Sequence, residues 1–106
     1  MSEFELICFQ MIAGAGEART NFIAALEEAK SGNFQNIDTL MKKGDDAYIQ
    51  GHHGHAPLIQ EEAKGNKTEL SLLLMHAEDQ LMNTETFRFL VMELIDSYRG
   101  GNAYES

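Results

Sequence analysis

The stretch LSLLLMHAEDQLMNTETFRFL, residues 70–90, has the hydrophobic periodicity of a helix on two different faces. One stripe, continued to residue 95, is mostly apolar and is predicted to pack against the rest of the subunit: Leu70, Leu74, Ala77, Leu81, Thr84, Arg88, Val91 and Ile95. The second follows the alternating spacing of four and three that is typical of a coiled-coil seam: Leu72, His76, Asp79, Asn83, Thr86 and Leu90. The second stripe therefore needs its own explanation.

An exposed helix face is normally charged, but this second stripe begins and ends in leucine and is flanked by Met75 and Met82. We expect another copy of the same chain to cover it, with the polar residues fixing register and the number of copies. Copies of Asp79 would then meet, and like charges at close range repel. Proton sharing or a hard divalent cation such as Mg²⁺ or Ca²⁺ would relieve the repulsion. A solvated surface pair of His76 and Asp79 is the alternative.

Two glycine-rich stretches divide the chain. In the first, Gly32 has the position of a residue that ends a helix and Asn33 that of the next N-cap. In the second, Gly65 is the predicted end and Asn66 the predicted N-cap, with Glu69 as its capping-box partner. These signals predict two short turns between helices.

Three helices follow, over about residues 3–31, 33–64 and 67–99, with GGN ending the third and a short disordered tail after it. Connections this short join antiparallel neighbours. The predicted fold is all-α: an antiparallel up-down-up three-helix bundle in a single domain, 1–106, that assembles into a homotrimer through the second stripe.

Small residues interrupt the first two helices. AGAGEA, residues 13–18, fits no phosphate-binding fingerprint and is better explained as a close approach between helices. The second helix has an inner face with a 3-4 spacing: Phe34, Ile37, Met41, Gly44, Tyr48, Gly51, His55 and Leu58. Pro57 predicts a kink near residues 53–57.

The composition excludes some classes of partner. A net charge of −9 argues against nucleic acid and anionic membranes, which require clustered Lys and Arg. No apolar run approaches the roughly 18 residues of a membrane span, so direct membrane insertion is not expected. The expected location is the cytoplasm. Cys8, the single cysteine, is predicted to be a small buried hydrophobe.

His76 is the candidate for chemistry. Asp79 and Gln80 follow it at i+3 and i+4, so all three share one patch of helix surface. A nearby carboxylate raises the basicity of an imidazole, and an amide donates to an anion, which suits nucleophilic attack on a phosphoryl donor. His52 and His55 also share a helix face and could grip a transition metal, but no third ligand is near in sequence, and lining a pocket or display on the surface is the favoured role.

Three segments together resemble the enzyme IIA component of the sugar phosphotransferase system, lactose/cellobiose class: FQMIAGAGEARTNFIAALEEAKSGNF, AYIQGHHGHAPLIQEEAKG and LSLLLMHAEDQLM. The resemblance implies a phosphotransferase component that works as a cytoplasmic homotrimer. It takes a phosphoryl group from the phosphocarrier protein HPr on a histidine, matched by His76, and passes it to a cysteine of the IIB component. The family's axial metal ligand is matched by Asp79, with Mg²⁺ as the expected ion.

The chain departs from the family pattern at three places. Glu78 stands where glutamine is usual, Gln80 replaces a second histidine, and His55-Ala56 replaces glutamine-threonine. Gln80 and His55 are therefore the candidate phosphoryl-binding residues, and which of them takes over from the second histidine stays open.

The favoured function is a phosphohistidine relay in the uptake of a β-linked disaccharide such as cellobiose, chitobiose or lactose. The sequence does not tell which sugar, because specificity lies in the membrane component. Two other functions stay open: a non-catalytic oligomerisation or adaptor module, and a histidine phosphotransfer module of two-component signalling. The latter expects a lysine and a glycine soon after its histidine, which AEDQLM lacks.

Overall fold

A computed structural model describes residues 1–100, and these form three helices and no strand. Helix α1 spans Glu3–Lys30, α2 spans Ile37–Ala63 and α3 spans Leu72–Arg99. Each helix reverses the direction of the one before, which confirms the predicted up-down-up bundle. Gly100 follows the last helical residue, as predicted, and the tail predicted beyond it lies outside the described residues.

Both predicted helix ends are confirmed by glycines with left-handed backbone geometry. Gly32 has φ +79° and Gly65 has φ +94°, a region that L side chains rarely adopt. The backbone N–H groups of Gly32 and Asn33 donate to the carbonyls of Ala29 and Glu28, over 3.1 and 2.9 Å. This pair of bonds is the Schellman motif. Equivalent bonds close α2 around Gly65.

The first helix begins at Glu3, as predicted, but the predicted starts of the second and third helices were wrong. Asn33 and Asn66 each provide the last backbone donor of a Schellman motif, so they close the preceding helix instead of opening the next one. Helix α2 begins after Asn36, and α3 begins after Ser71, whose hydroxyl accepts from the Leu74 N–H at 3.1 Å. The predicted capping-box residue Glu69 therefore lies before α3, not in its first turn.

Helices α1 and α2 approach closely at Gly14. A Cβ added there would lie 2.8 Å from the Ala47 carbonyl oxygen and from backbone atoms of Gly51, so only glycine fits without a backbone shift. Gly16 differs, since a Cβ at that position would meet nothing within 4 Å. The predicted close approach is thus confirmed at Gly14 and does not extend to Gly16.

The core lies mainly on α1, which packs against both other helices. Its buried residues include Cys8, Met11, Ala15, Ala18, Phe22, Ala25 and Ala29. The inward stripe of α3 is confirmed by the buried side chains of Leu74, Ala77, Leu81, Thr84, Val91 and Ile95. Two members of the stripe are not buried: Leu70 precedes the helix and is 79% exposed, and Arg88 is only partly buried.

Helices α2 and α3 meet through polar side chains. Three pairs, here called the polar ladder, connect them: His55 Nδ1 with Glu78 Oε2 at 3.0 Å, Tyr48 Oη with Glu85 Oε2 at 3.4 Å, and Arg88 Nε and Nη2 with the Asp45 carboxylate at 2.6 and 3.1 Å. From one pair to the next, the residue number falls by seven and then by three along α2, and it rises by seven and then by three along α3. The ladder therefore marks one antiparallel register.

Helix α2 contains Pro57 and continues through it to Ala63. The proline ring leaves the carbonyl of His53 without its usual helical donor, which weakens this half of the helix. The predicted bend near residues 53–57 stays a prediction. Within residues 1–100, none of the three helices has the length and apolar character required to cross a bilayer.

Candidate functional site

The second stripe of α3 lies on the surface of the subunit. His76, Asp79, Asn83 and Thr86 are all exposed. The large apolar side chains at its ends and borders are exposed as well: Leu72 83%, Met75 58%, Met82 64%, Phe89 62% and Leu90 53%. A helix face that exposes this many large apolar side chains on a small subunit is typical of a surface that another protein covers.

His76 lies in this stripe, in the first half of α3. Gln80 is one helical turn further on and is half-buried. Its backbone carbonyl accepts a hydrogen bond from the Thr84 hydroxyl at 2.7 Å, and Thr84 is fully buried. The row from His76 through Gln80 to Thr84 thus runs from the surface into the core.

Asp79 makes its side-chain hydrogen bond with Asn83, whose Nδ2 donates to Asp79 Oδ1 at 3.0 Å. The sequence had left open a solvated pair of Asp79 with His76. In the structure Asp79 instead accepts a hydrogen bond from the side-chain amide of Asn83. Within residues 1–100, a single subunit has no group of three His, Cys, Asp or Glu side chains arranged for a metal ion. One subunit thus offers a divalent ion one carboxylate at this face.

His55 lies on the α2–α3 side of the bundle, against Glu78. Its buried Nδ1 is 3.0 Å from the carboxylate, although the alignment is not that of a hydrogen bond. Glu78 is two residues from His76, which places it about 200° around α3. The structure therefore does not bring His55 and His76 together within one subunit.

The interpretation of His52 and His55 as a metal site finds no third ligand. The two rings stack with centroids 5.6 Å apart and 7° between their planes. Glu78 contacts His55, but the described part of the chain contains no three-ligand group at this place. The two rings form a stacked pair beside the His55–Glu78 end of the polar ladder.

Cys8 is fully buried, as the sequence predicted. Burial raises the pKa of its thiol above the ordinary 9.0, and the negative charges of Glu78 and Glu5 raise it further. A thiol in this environment is protonated and shielded, so it is a packing residue.

Arg19 is a residue near the site that the sequence reasoning did not single out. Its Nη1 donates to Thr84 Oγ1 at 3.5 Å, which places a half-buried guanidinium of α1 beside the end of the His76 row. The available signal was the arginine in AGAGEAR, but its neighbour on α3 depends on how the two helices pack.

Residues 6–99 match the family described as "PTS system, Lactose/Cellobiose specific IIA subunit". The chain belongs to this family. The match covers all three helices, including His76, Asp79 and Gln80, and it confirms the resemblance drawn from the sequence.

Related proteins agree with the family of this IIA subunit. It is 40% identical over 98 residues to the oligo-beta-mannoside-specific EIIA component of Bacillus subtilis (strain 168), covering 92% of this chain and 89% of that one. It is 35% identical over 100 residues to the lactose-specific EIIA component of Streptococcus mutans, covering 94% and 96%. The crystal structure of the cellobiose-specific enzyme IIA from Bacillus anthracis superimposes with a TM-score of 0.91, at 44% identity and with 97% and 94% covered.

The IIA subunits are phosphotransferase components of the sugar phosphotransferase system, so this protein is a phosphocarrier in sugar uptake. The family match decides against the two rival interpretations, an adaptor without chemistry and a two-component phosphotransfer module. HPr and IIB are the partners that membership of the family implies.

Proposed function

We propose that this IIA subunit accepts a phosphoryl group from phospho-HPr on His76 and delivers it to a cysteine of IIB during uptake of a β-linked disaccharide. The observation that supports this most is the position of His76, exposed on α3 with the Gln80 side chain one turn away. A phosphocarrier needs an accessible nucleophile more than a deep pocket, because both of its partners are proteins. In this proposal the subunit works in the cytoplasm.

The transfer is a displacement at phosphorus. The lone pair of a neutral His76 ring nitrogen attacks in line, a P–N bond to His76 forms, and the bond between phosphorus and HPr breaks with its electrons returning to HPr. A IIB thiolate then attacks the same phosphorus, and His76 regains its lone pair. Gln80 donates its side-chain amide to a phosphoryl oxygen and so holds the group in line.

The subunits assemble into a homotrimer through α3. Two rows of side chains flank the second stripe at seven-residue intervals, one formed by Met75, Met82 and Phe89 and the other by Leu73, Gln80, Phe87 and Leu94. Flanking rows of this kind face each other between neighbouring helices of a coiled coil. Three parallel copies of α3 would cover the apolar members of both rows.

A groove beside the first row has room for part of a neighbouring subunit. It has a volume of about 450 Å³, lies between the end of α2 and the start of α3, and is lined by Ile59, Glu62, Leu70, Leu74, Met75, Glu78, Asp79 and Met82. Around a threefold axis, the α2 side of one subunit adjoins the His76 side of the next. His55 would then reach a phosphoryl group only from the adjacent subunit.

Asp79 fits a shared Mg²⁺ in this trimer. One subunit offers a single carboxylate whose Oδ1 already accepts from Asn83, so three symmetry-related copies are needed for a set of oxygen ligands. When bound, the ion would neutralise the clustered carboxylates. Asp79→Leu should lose the ion and keep the trimer, because a leucine at the seam removes the repulsion. Elemental analysis and sedimentation velocity measure both, and a monomeric variant would contradict the proposal.

Labelling tests the phosphocarrier function. The protein is incubated with radiolabelled phosphoenolpyruvate, enzyme I and HPr, and then with IIB. The wild type should become labelled and lose the label to IIB, while His76→Ala should stay unlabelled. His53→Ala is the matched control, since His53 is also an exposed helical histidine. The assignment would be refuted by an unlabelled wild type, or by His76→Ala labelled to the same extent as His53→Ala.

The names of the relatives support β-linked sugars as the transported class, because they describe lactose-, oligo-beta-mannoside- and cellobiose-specific components. The phosphorylated protein can be offered to IIB components from lactose, mannoside and cellobiose systems. The cognate system should remove the phosphoryl group at least tenfold faster than the others. Equal rates would mean that IIA does not discriminate among them.

A further inference from the structure

A phosphoryl group on His76 creates a charge problem in this protein. The group carries nearly two negative charges at neutral pH, and the chain already has a net charge of −9. Gln80, one turn from His76, donates a hydrogen bond but has no charge. Since phosphoryl transfer depends mainly on charge stabilisation, another cation near the site would take this role.

Arg19 is the cation that the structure leaves available. Five of the eight lysines and arginines form ion pairs within residues 1–100: Lys30, Lys42, Lys64, Arg88 and Arg99. Lys43 and Lys67 are unpaired there and exposed, whereas Arg19 is unpaired and half-buried. A half-buried guanidinium is screened less by salt than an exposed lysine and keeps its charge.

The position of Arg19 connects it to the His76 row. Arg19 Nη1 donates to Thr84 Oγ1 at 3.5 Å, and Thr84 Oγ1 donates to the Gln80 carbonyl at 2.7 Å. Thr84 is about 12 Å from His76 along the axis of α3. Helices α1 and α3 are parallel, and helical side chains lean toward the N-terminus. The Arg19 side chain therefore leans along α3 in the direction of His76.

The contact with Thr84 is weak enough to exchange. A distance of 3.5 Å is beyond the usual range for an N–H···O hydrogen bond, so the guanidinium loses little when it turns to a stronger acceptor. Gly16, one turn before Arg19, leaves its side of α1 bare, since a Cβ there would meet nothing within 4 Å. Gly16 therefore places no side chain in the way of an approach to Arg19.

We propose that Arg19 is a phosphoryl-binding residue of this IIA subunit and provides the positive charge that Gln80 lacks. The inference rests on the proposed function of His76. Arg19 acts on the phosphorylated state: its guanidinium attracts the phosphoryl oxygens, slows loss of the group to water and favours transfer from HPr. The guanidinium neither forms a covalent bond nor gives up a proton. It orients and stabilises the phosphoryl group and takes no part in bond breaking.

The test uses phosphoramidate, which phosphorylates histidine without HPr, and ³¹P NMR on the full chain. The signal of phospho-His76 is identified by its absence in His76→Ala. In Arg19→Gln the midpoint of the phosphoryl titration should rise by about 0.3–0.5 pH units, a two- to threefold change, because a cation near the group is lost. Arg19→Lys should restore most of the difference. Transfer from phospho-HPr should be roughly three- to tenfold slower in Arg19→Gln.

Two control variants separate charge from structure. Lys43→Gln removes an equal charge from the exposed surface of α2 and should leave the midpoint unchanged. Thr84→Val removes the hydrogen bond to Arg19 and keeps its charge, so its midpoint should equal that of the wild type. If Arg19→Gln does not fold, Arg19→Met takes its place, because it keeps an unbranched aliphatic stem without the charge, and its midpoint should rise by the same amount.

An Arg19→Gln midpoint equal to that of Lys43→Gln would overturn the proposal, and so would an Arg19→Met midpoint equal to that of the wild type. A failure of phospho-HPr to label the wild type would count against the proposed function alone. The chemically phosphorylated protein would still decide the role of Arg19.

Discussion

Helix α1 and the α2–α3 seam hold the bundle together in different ways. Helix α1 packs through buried apolar and small residues, of which Phe22 and Gly14 are the clearest examples. The seam is connected by the polar ladder, and the Asp45 and Arg88 side chains in it are 37% and 42% exposed. Burying a large apolar side chain contributes about 1.5–3 kcal/mol, whereas an exposed ion pair contributes about 0–1 kcal/mol. Stability therefore resides with α1, and the ladder chiefly selects the register.

The largest effect is expected from Phe22→Ala. Phe22 is fully buried, and its ring occupies the space beside Gly44. Its removal should lower the free energy of unfolding by about 3–5 kcal/mol, because transfer and cavity terms add. Urea unfolding at a fixed protein concentration measures this. Phe34→Ala, at a residue 36% exposed, is the control and should lose much less; similar losses would break the contrast between α1 and the rest.

Two neighbouring glycines of α1 sharpen the comparison. Gly14→Ala should destabilise by about 1–3 kcal/mol, because the methyl group meets backbone atoms of α2 that cannot move independently. Gly16→Ala should stabilise by about 0.5–1 kcal/mol, since its methyl group meets nothing and the helix gains propensity. Thermal unfolding of the two variants measures both stability changes. If both variants were stabilised or both destabilised, the close approach of α2 at Gly14 but not at Gly16 would be contradicted.

A smaller effect is expected within the polar ladder. A double-mutant cycle of Asp45→Asn and Arg88→Gln should give a coupling energy of about 0.5–1 kcal/mol, because both side chains are partly hydrated. Hydrogen bonding to Asp45 raises the pKa of Arg88 above its ordinary value, so the guanidinium stays charged at neutral pH. A coupling energy above about 2 kcal/mol would mean that the seam contributes as much as α1 does.

The smallest effect concerns alkaline pH and Cys8. Burial raises the pKa of its thiol in the folded state above the ordinary 9.0. Above pH 9 the unfolded chain ionises first, so the stabilisation is complete below pH 9 and disappears as the pH rises through the folded-state pKa. The stability difference between wild type and Cys8→Ala should therefore shrink from pH 8 to pH 10. A constant difference would show that Cys8 titrates equally in both states.

The number of helices and their ends could be predicted because the deciding residues are local. Gly32 and Gly65 adopt the conformation that only glycine accepts readily, wherever the rest of the chain lies. The predicted starts of α2 and α3 were wrong because asparagine serves both as an N-cap and in a Schellman motif, and the sequence alone does not distinguish the two uses. Ser71, directly before the apolar run, was the better signal for α3.

The candidate site could be predicted as far as it lies on one helix. His76, Asp79 and Gln80 are related by helical spacing, so their common face follows from the sequence. The contacts of His55 with Glu78 and of Arg19 with Thr84 depend on how far one helix slides along another. That offset is fixed by core packing over the whole bundle, and no spacing within one segment reveals it.

The equal steps of the polar ladder also protect the chain from a misfolded arrangement. If α2 slid along α3 by three residues in one direction, Glu85 would face Asp45 and Arg88 would face Lys42, so that each charge met its own kind. A slide of three residues the other way would press the Glu78 carboxylate against Leu58. A shift of three residues in either direction thus raises the free energy of the bundle. The polar seam contributes little stability, but it disfavours shifted alignments that a purely apolar seam would tolerate.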